Sequence, residues 1–177
     1  MTTAEYLKTD ETVLPRELAY GELRVADSPS VSHQRVVLQL ALMLAPYVRE
    51  KQLGEVLVAP MDVILDVEEA LVVQPDLLFV SRERRNIVSD RVYGAPDLVI
   101  EVLSPYPRIG RVEEKVTWFA RSGVRECWLV NTVEKAVVVL TLSPEGVRRG
   151  TMHSGADQIQ TDVVEGLSLT PLKIFGW

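Results

Sequence analysis

At 177 residues, of which 47% are hydrophobic and 25% charged, the chain has the length and apolar content of one globular domain with a substantial core. Its net charge of -6 excludes a protein that coats nucleic acid indiscriminately, because that mode of binding relies on massed Lys and Arg to displace counterions. One cysteine excludes an internal disulfide or a thiolate metal cage, and without a long apolar run or a basic-then-apolar leader the expected address is cytoplasmic, with no membrane association.

Residues 3–9 suit a short helix, and residues 18–25 alternate in the manner of a strand. Asp27, Ser28, Pro29 and Ser30 then offer turn and N-cap chemistry. Over residues 32–52, Val36, Val37, Leu40, Ala41, Leu44, Tyr47 and Val48 recur at three- and four-residue spacing, which predicts one face of an amphipathic helix. Gly54 is its expected stop and Pro46 an expected kink or break. Strands follow at residues 55–59, 62–66, 71–80 with an interruption at Pro75, and 96–103. Glu68, Glu69 and Ala70 make a hairpin-sized connection, and residues 81–91 a longer charged loop. Residues 111–121 form a second helix with the stripe Val112, Val116, Phe119 and Ala120, stopped by Gly123. Strands at 126–131 and 136–142 complete the interior, and residues 143–177 read as edge strands and loops that fold back through Leu167, Leu169, Leu172, Ile174 and Phe175. This order predicts a single α/β or α+β domain over residues 1–177, a sandwich containing a mixed sheet.

Glu101 stands at the centre of Leu98-Val99-Ile100-Glu101-Val102-Leu103, a run apolar enough to be buried on both faces. An ionised carboxylate there costs several kcal/mol unless it is protonated, paired or bound to a cation. Asp76 repeats the pattern, following Leu71, Val72 and Val73 and preceding Leu77, Leu78, Phe79 and Val80. If the two strands are neighbours, the carboxylates supply the hard oxygen ligands that Mg²⁺ or Mn²⁺ prefers. Lys115, at the margin of the second helix's apolar stripe, can run its stem over the core and bring its ammonium inward, where it would orient a nucleophilic water or stabilise a phosphate in transition. The competing reading of these three residues is a purely structural ion-pair network.

Several segments in order resemble the Uma-type restriction endonuclease family of the PD-(D/E)XK nuclease superfamily: Gly21-Glu22-Leu23, Ser32-His33-Gln34, Gln74-Pro75-Asp76, residues 94–105, Lys115, and residues 123–130. The resemblance implies a restriction-endonuclease-like core with a central mixed sheet flanked by helices, Mg²⁺ held by Asp76 and Glu101, and hydrolysis of DNA phosphodiester bonds. It also implies the carbonyl of Val102 as a further metal ligand, being the middle residue of the family's Glu-x-Lys element. Here that element is broken. Position 103 is Leu, so the resemblance implies a lysine supplied from the following helix, where Lys115 stands in this family's pattern. Arg111 and Cys127 also depart from the pattern, the first close to the site and the second in packing alone.

Glu22 has two readings, an extra acid contributed from an early element or a solvent-facing strand residue. His33 is expected to cap or pack at the start of the long helix, since a hard-ion site needs no histidine. Asp62 and Asp97 are expected at turns and strand ends, and Cys127 in the core. Arg82, Arg84 and Arg85 form one local basic patch, and Arg108 with Arg111 another, either of which is a nucleic-acid contact or a solvated loop. The leading expectation is a Mg²⁺-dependent endonuclease acting on DNA; the alternative is a nuclease-derived binding or assembly protein that has lost catalysis. A homodimer is expected on the ground that two strands suit two active sites, with the C-terminal apolar cluster and Trp177 as contact.

Overall fold

The computed structural model describes residues 1–10, 14–26, 28–103 and 112–176, and the basic pair Arg108 and Arg111 and the expected contact Trp177 lie outside them. In chain order the elements are α1 (Thr3–Tyr6), β1 (Arg16–Ala19), β2 (Glu22–Val25), α2 (Val31–Glu50), β3 (Gly54–Val58), β4 (Val63–Asp66), β5 (Leu71–Val73) and β6 (Leu77–Ser81). A 3-10 turn (Arg82–Ile87) leads to β7 (Val92–Tyr93), β8 (Leu98–Leu103), α3 (Val112–Ser122), β9 (Glu126–Asn131), β10 (Ala136–Ser143), β11 (Gly146–Ser154) and α4 (Pro171–Phe175). The strands make two mixed sheets where sequence predicted one: a five-stranded sheet ordered β2-β1-β5-β4-β7 and a six-stranded sheet ordered β11-β10-β9-β8-β6-β3.

The six-stranded sheet is covered on both sides, which is why β8 and β9 are apolar along almost their whole length. Leu77, Phe79, Leu98, Ile100 and Val102 pack with Val36, Leu40, Leu44 and Val48 of α2. The alternate residues Leu78, Val80 and Val99 face Val116, Phe119 and Ala120 of α3 together with Val63, Leu71 and Val73 of the smaller sheet. Cys127 is fully buried in this second layer, as packing.

The predicted strand at 71–80 divides, and the division decides the site. Proline has no N–H for the ladder and cannot continue a central strand. The chain therefore leaves the small sheet after Val73, passes through Gln74-Pro75-Asp76, and enters the large sheet at Leu77. The predicted strand at 18–25 is likewise a hairpin. Tyr20 and Gly21 both take positive φ, 51° and 85°, the signature of a type I′ turn, and set Glu17 opposite Arg24. The connection at 68–70 is the hairpin expected, with Asp66 Oδ1 accepting from the amides of Glu68 and Glu69.

Two helix ends differ in their cause. Gly123 stops α3 as predicted: its amide bonds Ala120 and that of Val124 bonds Phe119, a Schellman closure with Gly123 at φ 95°. In α2 the same closure uses Gln52, at φ 55°, with Gln52 bonding Arg49 and Leu53 bonding Val48. Gly54, the predicted stop, instead allows β3 to press on β6, where a Cβ would stand 2.0 Å from the Val80 carbonyl. Of the kink or break expected at Pro46, the break does not occur, and α2 runs on to Glu50. Pro46 lies on the exposed face, so the Leu42 carbonyl that it leaves without an amide partner is open to water. Among the described residues no helix is long and apolar enough to cross a membrane.

The C-terminal residues fold back as expected. Leu169, Ile174 and Phe175 lie within the chain's own core, which takes them out of the contact expected between copies, while Leu172 is 61% exposed.

Two substitutions test the reassigned roles. Gln52→Gly relieves a left-handed side chain and is expected to raise stability in urea unfolding by about 1 kcal/mol. Gly54→Ala is expected to lower it by about 3 kcal/mol, through overpacking and strain combined. The opposite order of effects would return the helix stop to Gly54.

Candidate active site

Asp76 and Glu101 meet because β6 and β8 are antiparallel neighbours. The register pairs Leu77 with Ile100 and Leu78 with Val99, so its extension by one residue sets Asp76 opposite Glu101. Directly opposed residues share a face of the sheet, here that of Leu78 and Val99, which is the face covered by α3. Asp76 ends the crossover between the sheets, and its Oδ2 accepts from the amide of Val102 at 2.7 Å.

Lys115 comes down from α3 onto the same place. Its Nζ is 2.7 Å from Glu101 Oε1 and 2.8 Å from Glu17 Oε1, with side-chain exposures of 11%, 15% and 3% for Lys115, Glu101 and Glu17. The structure thus brings the three predicted residues together and adds two more. Glu17 falls just before the strand predicted at 18–25 and carries no expectation from sequence. The signal that would have found it is Tyr20-Gly21 as a hairpin turn, whose register sets Glu17 with Ala19 on the face towards α3.

His33 is the second addition. Its amide does bond the N-cap Ser30, as expected of a residue in a first turn, but its ring Nε2 lies 3.2 Å from Asp76 Oδ1. It therefore belongs to the site, and the expectation of mere packing is corrected. An acid near the open end of a sheet gains a partner from whichever helix starts there, and no pattern within the helix reveals that.

Glu22 does not join them. Its carboxylate is 70% exposed and bonds Arg24, which also reaches Glu114 and lies over the Trp118 ring at 5.5 Å. Asp97 is a structural residue. Fully buried, it accepts from the Ser81 amide at 2.7 Å and pairs with Arg125 and Arg84 at 3.3 and 3.6 Å. Part of the basic patch at 82–85 is thereby spent on Asp97, and Arg85 faces Glu55 at 3.9 Å. Asp62 binds Tyr6, Gln74 and Arg91.

The charge at the centre is unbalanced. Burial pushes the Glu101 carboxyl up, Lys115 draws it down, and Asp76 and Glu17 raise it again, so that it stands at about 8. Burial alone would lower the Lys115 ammonium, but Glu101 and then Glu17 outweigh that and hold it above its ordinary value. Glu101 and Glu17 thus flank one ammonium with Asp76 close to Glu101, and the crowding of acids keeps the Glu101 carboxyl largely protonated at neutral pH, a proton that a second cation at the acids would displace. Hard oxygen donors in excess of positive charge suit Mg²⁺ or Mn²⁺. Among the described residues no group of three or more His, Cys, Asp or Glu is arranged to hold a metal.

The architecture has a counterpart of known structure. A crystal structure described as "a putative nuclease belonging to DUF820", from Anabaena variabilis, superposes with a TM-score of 0.83 over 100% of this chain and 98% of its own, at 18% identity, and so shares the fold. No curated protein matches. The family model described as "Putative restriction endonuclease" matches residues 3–172, and with nearly the whole length covered, including every residue of the site just described, the chain belongs to the Uma2 family.

Proposed function

We propose that the protein is a Mg²⁺- or Mn²⁺-dependent endonuclease that hydrolyses phosphodiester bonds in DNA. The observation that carries this reading is the meeting of Asp76, at the end of the crossover into β6, with Glu101 of the neighbouring β8, and of the Lys115 ammonium 2.7 Å from Glu101. Asp76 and Glu101 would hold the ion, with the carbonyl of Val102 as a third oxygen. When bound, the ion supplies Lewis acidity towards a phosphate oxygen and makes a water nucleophilic at neutral pH.

The chain's own groups supply the rest. His33 Nε2 and the Val102 amide stand against the two oxygens of Asp76 and fix the plane of its carboxylate. The Lys115 ammonium donates to Glu17 Oε1 and forms an ion pair with Glu101, and of its three protons one would be directed at the attacking water or at charge developing on the phosphate. The general negative charge of the chain requires that DNA be engaged locally, since the ion and Lys115 neutralise a phosphate only at the site itself. Double-strand cleavage would pair two such sites in a homodimer, and sedimentation at micromolar concentration distinguishes that assembly from a monomer.

Calorimetric titration with Mn²⁺ is expected to show one saturable site that is lost in Asp76→Asn and in Glu101→Gln. Absence of binding by the intact protein removes the catalytic reading and leaves the nuclease-derived binding or assembly protein. Nicking or linearisation of supercoiled plasmid is expected in Mn²⁺ and to fall by about 100-fold or more in Lys115→Ala, the scale on which one preorganised charge contributes to a transition state. Equal rates in the two proteins would take the lysine out of the chemistry.

A further inference from the structure

A lysine in a Glu-x-Lys strand element is placed by the strand itself, two residues from its acid. Here Leu103 occupies that place and the ammonium arrives from α3 on a flexible four-carbon stem. Something must hold it. Glu101 is one anchor of the ammonium, and the other is an acid that the proposed chemistry does not use.

We infer that Glu17 is the positioning residue for Lys115, the clamp that replaces the missing strand geometry. A single oxygen, Oε1, accepts from Lys115 Nζ at 2.8 Å and from the amide of Gln74 at 3.0 Å. Gln74 lies two residues before Asp76, so this one atom ties the ammonium to the crossover segment that delivers the second acid. The segment is itself held, with Gln74 Nε2 donating to Asp62 Oδ1 at 2.9 Å and Asp62 accepting from Tyr6. The ammonium is thereby located with respect to both carboxylates, to Glu101 directly and to Asp76 through Glu17 and Gln74. The other oxygen, Oε2, is buried with no hydrogen-bond partner among the described residues.

The role in catalysis rests on the endonuclease reading; the role in placing Lys115 does not. Two conservative variants separate position from charge. Glu17→Gln keeps an acceptor oxygen at the same reach and loses the charge, whereas Glu17→Asp keeps the charge and withdraws the oxygen by one carbon–carbon bond, about 1.5 Å. The first readout is the ammonium resonance of Lys115 in ¹H–¹⁵N spectra of the full chain without metal, assigned by its loss in Lys115→Arg. A clamped, buried ammonium exchanges slowly with water. The signal is expected to persist in Glu17→Gln and to broaden away in Glu17→Asp, and the reverse order, or no change in either, overturns the clamp in favour of a simple counter-charge. The second readout is plasmid cleavage in Mn²⁺. Glu17→Asp is expected to lose about 10- to 100-fold in kcat with KM little altered, and Glu17→Gln to retain a rate within about threefold of the parent. Spectra that behave as expected in a protein that cleaves nothing would sink the endonuclease reading and leave the clamp standing. Normal cleavage by Glu17→Asp would overturn its positioning role in the reaction.

Discussion

The ion cluster around the Lys115 ammonium is the constraint on which the site depends. Three carboxyl groups and one lysine lie between a helix and two sheets, where water offers little screening, and the charge of each is tolerable only because the others are in place. Glu17 comes from β1 in the small sheet, Asp76 from the crossover between sheets, Glu101 from the middle of the large sheet, and Lys115 from α3. The cluster therefore reports on the docking of every layer. A buried network of this kind adds little net stability, because desolvation cancels much of the attraction. Its value is specificity of arrangement.

The two-sheet architecture follows from the same region. Pro75 cannot take part in a ladder, so the apolar run of residues 71–80 is cut into two short strands that enter different sheets. Asp76 then stands just before the second strand with its carboxylate near the end of the ladder, free to accept from Val102 and to meet His33 at the start of α2. The large sheet supplies rigidity: β8 is hydrogen-bonded to β6 on one side and β9 on the other, which fixes the height of Glu101 in the layer. Glu101 is thus held on a central strand, while Asp76 stands on the crossover that leads into its neighbour.

Acidic outlying groups complete the picture of where charge is spent. Asp97 pairs with Arg84 and Arg125 at the far end of β6, and Asp62 takes Arg91, the hydroxyl of Tyr6 and the side chain of Gln74. These are supports of the frame. Of the basic residues near 82–85, which by sequence could face a polyanion, Arg84 is held by Asp97 and Arg85 faces Glu55.

What sequence alone determined was the set of residues whose burial is implied by their own neighbours. Glu101 within an apolar strand, Asp76 between two apolar runs, the lysine at the edge of a helical stripe, and the strands at 126–131 and 136–142 were all legible, because local period and local hydrophobicity report which side chains leave water. Tertiary structure alone decided which groups meet. Glu17 sits on the first arm of a tight hairpin, His33 opens the helix that follows, and neither carries a local pattern that names a partner. Gln52 rather than Gly54 ends α2, and Glu22 faces solvent while Glu17 is buried on the same face of the same hairpin. The physical reason is that burial is a property of one segment and its periodicity, whereas an ion cluster is a property of register and packing between segments, fixed only when β1, the 74–76 crossover, β8 and α3 are brought to a common point.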